Sequence, residues 1–182
     1  MDYQPHGYIC KSCGNPAPMG IGYVVGGLAA AQASESINCC LCGYSRKPVT
    51  ASLVPNGKRM DFLPQLFPGL YIHGEIYVYQ NLESIADAYN GGYWNYYALS
   101  NGGFYMAPDI AETLHITVAG NFFDGDLSAD AAGIVATLFA LNRLMFKTAG
   151  TTLCDRLMNN FYALRDYAAE HPEHRGIYGA ID

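Results

Sequence analysis

Residues 93–109 read YWNYYALSNGGFYMAPD, residues 110–119 read IAETLHITVA, and residues 120–139 read GNFFDGDLSADAAGIVATLF. The first block is dense in aromatics on both sides of Asn101-Gly102, a dipeptide that tight hairpin turns favour because both residues tolerate positive φ. It predicts a β-hairpin. In the second block Leu114, Ile116 and Val118 alternate with His115 and Thr117, the period-two pattern of a strand with one buried face. Gly120-Asn121 then turns the chain, and Phe122–Leu127 supplies a further strand. Ser128 is placed to cap a helix, its hydroxyl accepting from first-turn N–H groups, and the helix dipole favours Asp130 there. Ala131–Phe146 is apolar on most sides and reads as a buried central helix.

The flanking segments follow the same rules. Residues 50–70 contain Pro55-Asn56-Gly57, Pro64 and Pro68, so they read as an irregular lead-in with a short helical turn around Arg59–Leu63. In His73–Tyr89 the residues Ile76, Tyr79, Leu82, Ala86 and Tyr89 recur at three- and four-residue steps, which predicts a helix closed by Asn90-Gly91 as a left-handed cap. Thr152-Leu153-Cys154-Asp155 opens another helix with Leu153, Leu157, Phe161, Leu164 and Ala168 on its face. Pro172 ends it, and Glu173–Ala180 makes a last short one. Together these elements predict an α+β fold, a small antiparallel sheet of three to four strands packed by helices.

Composition narrows the function. The 182 residues are 51% hydrophobic and 14% charged, with a formal net charge of −6, which fits a globular chain of one main domain plus a small module. The acidity is uneven: residues 48–182 hold seven Lys and Arg against fourteen acidic residues, a net of −7. Sequence-independent binding to phosphate backbones needs clustered cations, so the charge argues against direct DNA binding by this part. The start of the chain lacks a basic stretch followed by an apolar one, and the weakly polar run Met19–Ala33 is shorter than the roughly twenty residues that cross a bilayer. A cytoplasmic protein is expected.

Five of six cysteines fall in the first 42 residues. Cys10-Lys11-Ser12-Cys13-Gly14 and Cys39-Cys40-Leu41-Cys42-Gly43 are two knuckles of the kind that bring two sulfurs to one zinc ion, the glycine permitting the tight turn. Residues 1–47 therefore read as a zinc-ribbon-like module, ending where Pro48 interrupts the chain. Cys10, Cys13, Cys39 and Cys42 would close a structural zinc site; Cys40 in place of Cys39, or His6 as a ligand, fits the spacing too. Such a module also supports a second reading of the whole chain, as a zinc-ribbon adaptor that binds nucleic acid or protein.

The rest offers little assembled chemistry. Asp124, Asp126 and Asp130 lie within seven residues, but their spacing fails an EF-hand loop, and a solvated acidic turn beside a helix start explains them. His171 and His174 are separated by Pro172 and read as helix-end histidines. Cys154 reads as a buried structural thiol. The aromatics Tyr93, Trp94, Tyr96, Tyr97, Phe104 and Tyr105 have no interleaved Lys or Arg, which suits a protein partner better than single-stranded nucleic acid.

Five separated blocks occur in order: VTASLVP (49–55), RMDFLPQLF (59–67), NGGYWNYYALSNGGFYMAPD (90–109), GDLSADAAGIVATLFALNRL (125–144) and YALRDYAAEHPEHRGIYGAID (162–182). In these the chain resembles the ArdB/KlcA family of antirestriction proteins over roughly residues 49–182. The resemblance implies a non-enzymatic protein of plasmids and other mobile elements that inhibits type I restriction–modification enzymes, its partner being such an enzyme or its complex with DNA. The clustering of polar and aromatic residues in the matching blocks points to Trp94, Tyr97, Asn101, Tyr105, Asp109, Asp124, Asp126 and Asp130 as the surface that engages the restriction machinery. DNA mimicry is not implied, because −7 over 135 residues is dilute beside a duplex with one phosphate per roughly 1.7 Å of axis. The cysteine module is a departure from the compact family pattern.

Overall fold

The computed structural model describes residues 37–38, 45–67 and 69–182. The chain divides into two units, Met1–Pro48 and Val49–Asp182. In the first, β1 (Ile37–Asn38) pairs antiparallel with β2 (Ser45–Arg46), Ile37 opposite Arg46. Cys10, Cys13, Cys39 and Cys42, and the alternative ligands Cys40 and His6, lie outside the described residues.

The second unit contains a three-stranded antiparallel sheet in the order β3 (Ala51–Leu53), β4 (Trp94–Leu99), β5 (Phe104–Pro108). A separate hairpin joins β6 (Thr113–Val118) to β7 (Phe123–Ser128). Five α-helices complete it: α1 (Arg59–Leu66), α2 (Tyr71–Ile85), α3 (Ala129–Lys147), α4 (Thr152–Ala168) and α5 (His174–Ile181). The class is α+β, with the strands divided between two sheets. Strand β3 replaces part of the irregular lead-in. It is three residues long, lacks alternation and is set by the free edge of β4, so its own sequence carries no strand signal.

Both faces of the β3-β4-β5 sheet are covered. Trp94, Tyr96, Phe104 and Met106 point to one side, where Phe67 packs edge-on against Phe104 at 4.9 Å and Phe62 stacks near Tyr96 at 6.4 Å. Tyr97, Leu99 and Tyr105 point to the other, where Tyr167 of α4 stacks on Tyr105 at 5.5 Å. Two rows of aromatics in a strand therefore mean two buried faces. The turn between β4 and β5 is longer than a two-residue hairpin: Leu99 N donates to Gly103 O, and Asn101 binds back to Gly103 N and across to Ala163 O.

Helix α2 runs from Tyr71 and stops at Ile85, before Asn90-Gly91. Its buried row is Gly74, Tyr77, Val78, Leu82 and Ile85, so the chain leaves the helix once Ile85 is seated and buries Ala86 and Tyr89 from a loop instead. Helix α3 begins as its sequence dictates: the Ser128 hydroxyl accepts from Ala131 N at 3.2 Å. The Glu173 carboxylate accepts from Ser128 N at 2.9 Å and from the Ser128 hydroxyl. At the start of α4 the cap is Thr151, not Thr152, its hydroxyl accepting from Cys154 N. Helix α3 has the length and apolarity to cross a membrane, but 67% of that stretch is buried within the unit.

Helix α3 and strand β5 approach each other closely. A Cβ on Gly133 would sit 2.4 Å from Met106 O and 2.5 Å from Ala107 Cα, both backbone atoms. One turn on, the Thr137 hydroxyl accepts from Met106 N at 3.2 Å and donates to Gly133 O at 2.8 Å. The outer edge of β5 is thereby satisfied by a helix side chain, as edge strands need. Gly133→Ala gains about 1 kcal/mol of helix propensity, but its methyl group must displace backbone. It is expected to destabilise the protein by about 2 kcal/mol, lowering Tm by roughly 5–10 °C in thermal unfolding.

Candidate functional site

The residues singled out in the sequence fall into four places. Tyr105 is 1% exposed and Trp94 6% exposed. Both side chains are largely buried, Tyr105 in the core and Trp94 as a wall of the cleft described below. Asn101 is held by the β4–β5 turn and α4. Asp109 is exposed just after β5, its backbone N bonded to Tyr93 O at 2.7 Å.

Asp130 is drawn inward. Its carboxylate accepts from Tyr105 Oη at 2.8 Å and contacts His171 Nε2 at 3.1 Å, with the side chain 38% exposed. His171 Nδ1 accepts from Glu173 N at 3.1 Å, so Nε2 carries the proton and donates to Asp130. This pairing, rather than a helix dipole, holds the buried His171. Tyr97 stacks on Tyr105 at 4.7 Å and 8°, and Tyr105 on Tyr167. Burial first, then the Asp130 charge, pushes the Tyr105 and Tyr97 hydroxyls up; burial does the same to Tyr167. The three phenols stay neutral, and the partly exposed Asp130 carboxylate ties the start of α3 to β5 and to His171.

Asp124 and Asp126 stand on the outer face of β7. Opposite them on β6 is His115, whose Nδ1 lies 2.8 Å from Asp126 and Nε2 3.3 Å from Asp124, all three exposed. The hairpin tip carries Phe122, 92% exposed at φ 61. A non-glycine residue in that conformation is strained, and here it leaves a large apolar side chain in solvent at the end of the hairpin that carries Asp124 and Asp126. Sequence reading found the carboxylates through their spacing but missed His115 and Phe122, which only the register and the turn bring beside them.

A second feature had no sequence signal beyond aromatic density. Arg59, Tyr79, Glu83, Tyr89, Gly91, Gly92, Tyr93, Trp94 and Tyr96 line a cleft of about 300 Å³. Trp94 Nε1 donates to Tyr89 Oη at 2.7 Å, and Tyr79 lies 4.9 Å from the Trp94 ring. Glu75 accepts from both Tyr79 and Tyr96, at 2.7 and 2.5 Å. Burial and the bond to Glu75 push the Tyr96 hydroxyl up to about 12. The Arg59 guanidinium lies over the rings of Tyr93 and Tyr96, 4.4 and 4.8 Å from their centroids.

Fold and surface together define a small α+β protein whose exposed features, an acidic hairpin with an aromatic tip and a tyrosine-lined cleft, suit molecular contacts. The family profile described as "Antirestriction protein" matches residues 87–182. The Escherichia coli antirestriction protein KlcA is 57% identical over 137 residues, 75% of this chain and 96% of that protein. The putative E. coli antirestriction protein YubI is 36% identical over 141 residues, 75% of this chain and 97% of its own. A solved structure from work on the KlcA and ArdB proteins superposes with a TM-score of 0.71 at 56% identity, covering 75% of this chain and 96% of that one. That work describes a novel fold and antirestriction activity against type I DNA restriction systems in vivo but not in vitro. The chain belongs to the antirestriction protein family.

His115 supplies a direct check on the hairpin geometry. The hydrogen bond that its ring N–H donates to Asp126, then the charge of Asp124, holds its pKa above the ordinary 6.5. With a raised folded value, the stabilisation from this pairing is complete below 6.5 and is lost as pH rises through the raised value. An NMR titration of the His115 ring is expected to show a midpoint above 6.5 that falls in Asp126→Asn; an unshifted midpoint contradicts the pairing.

Proposed function

We propose that this protein protects incoming mobile-element DNA by inhibiting type I restriction–modification enzymes in the cytoplasm, through protein contacts and without catalysis or DNA mimicry. The observation that carries this reading is the 57% identity to KlcA over nearly the whole of that protein. The relative's activity in vivo but not in vitro supports contact with a species present in the cell and missing from purified reactions. The acidity supports a protein partner rather than DNA, since one or two carboxylates per face match a basic protein surface and not the charge density of a duplex.

The contact face on this reading is the outer side of the β6–β7 hairpin: Asp124 and Asp126 with His115 between them, and Phe122 as an apolar anchor of the kind that dominates binding energy. Asp130 drops out, because reversing its charge would break the Tyr105 and His171 contacts. Phe122→Gly tests the face. Glycine accepts the left-handed conformation without strain, so stability should stay within about 1 kcal/mol, while loss of the anchor should cost about 2 kcal/mol of binding. Unmodified phage plated on a type I restricting host should be protected by the parent protein and much less by Phe122→Gly. Full protection by a folded Phe122→Gly, Asp124→Lys, Asp126→Lys protein would rule this face out.

A further inference from the structure

The cleft beside Arg59 lies apart from the hairpin and is built around a cation that lacks a counter-charge. Arg59 donates to Asn95 Oδ1 at 3.2 Å, and its Nε is buried without an acceptor. Among the described residues no carboxylate pairs with it. Glu75, on the same aromatic cluster, already accepts from Tyr79 and Tyr96. The guanidinium is held by stacking on Tyr93 and Tyr96 instead, which fixes its plane; Asn95 Oδ1 takes one Nη2 hydrogen, and among the described residues nothing else bonds the fork. A fixed planar fork is the geometry that takes a carboxylate in two parallel hydrogen bonds.

The walls specify what surrounds that carboxylate. Tyr79, Tyr89 and Trp94 offer ring faces and edges to an apolar body, and the Tyr89 hydroxyl, which accepts from Trp94, keeps its own hydrogen free to donate. Gly91 and Gly92, at φ 87 and 145, form the rim with open space where a Cβ would stand, so a partner's backbone meets no side chain there. Glu83 on the same rim disfavours a phosphate chain, which calls for several cations rather than one. We propose that the cleft is a docking site for an acidic side chain presented next to an apolar residue on an extended segment of a protein partner. The site stands independently of the hairpin face, and of which restriction component either one meets.

Trp94 is the only tryptophan in the chain and forms a wall of the cleft, so its fluorescence reports occupancy. The full-length protein is titrated with acetyl-Phe-Glu-amide, with acetyl-Phe-Gln-amide, and with the thymidine dinucleotide monophosphate. The glutamate peptide should give a saturable change in Trp94 emission. The glutamine peptide, and the glutamate peptide on Arg59→Gln, should bind roughly tenfold more weakly, the loss expected for one charge-assisted bidentate contact. Glu83→Gln should bind the glutamate peptide at least as tightly as the parent. Equal binding of the two peptides, no saturable response to either, or tighter binding of the dinucleotide would each overturn the proposal. The peptide contrast uses the parent protein, so it holds even if Arg59→Gln fails to fold.

Discussion

The contact between helix α3 and strand β5 is the constraint on which the second unit depends. Helix and strand meet at backbone distance because residue 133 has no side chain, and Thr137 then satisfies the strand's open edge by accepting from Met106 N. An edge strand closed by a helix cannot recruit a further strand, so the sheet ends there. Its opposite edge is finished by the three residues of β3. With β5 locked, β4 is held as the middle strand, and the residues of β4 are the ones that face the cleft on one side and the tyrosine stack on the other. The Asp130 carboxylate, bonded to Tyr105 and His171, repeats the same tie at the start of α3.

Much of this was legible in local sequence because local chemistry decides it. Ser128 caps α3 through a hydroxyl whose partner lies three residues on, and the alternation of Leu114, Ile116 and Val118 needs only the period of a strand. Other parts were decided by partners distant in sequence. Strand β3 has no pattern of its own, α2 stops at Ile85 because of what that residue packs into, and Trp94 is buried because α2 covers its face. The candidate site divides along the same line. Asp124 and Asp126 were visible as a spacing, whereas His115 faces them only through strand register and Arg59 reaches Tyr93 and Tyr96 from a segment thirty-odd positions away. Tyr105 and Asp130 were noticed for the right reason, an unusual local density, and proved to be partners of each other.

The division of labour that results is simple. Tyr97, Tyr105 and Tyr167 are neutral stacking elements with hydroxyls raised by burial. What remains for recognition is carried on the periphery, at a strained hairpin tip and in a cleft whose guanidinium has no carboxylate partner among the described residues. The hairpin packs on α3 and α5, and the cleft is backed by α2 and β4 with the loop between them as its rim, which keeps recognition groups in fixed geometry. That arrangement fits an antirestriction protein acting through contacts whose energy is concentrated in a few residues.

Native-state hydrogen exchange at the Met106 amide tests the central claim most directly. If α3 and β5 are locked through Thr137, this amide exchanges only with global unfolding, although it faces the outer edge of its strand, and Thr137→Val lowers its protection toward that of an exposed edge. Fast exchange of Met106 in the parent protein, or protection unchanged in Thr137→Val, would contradict the account.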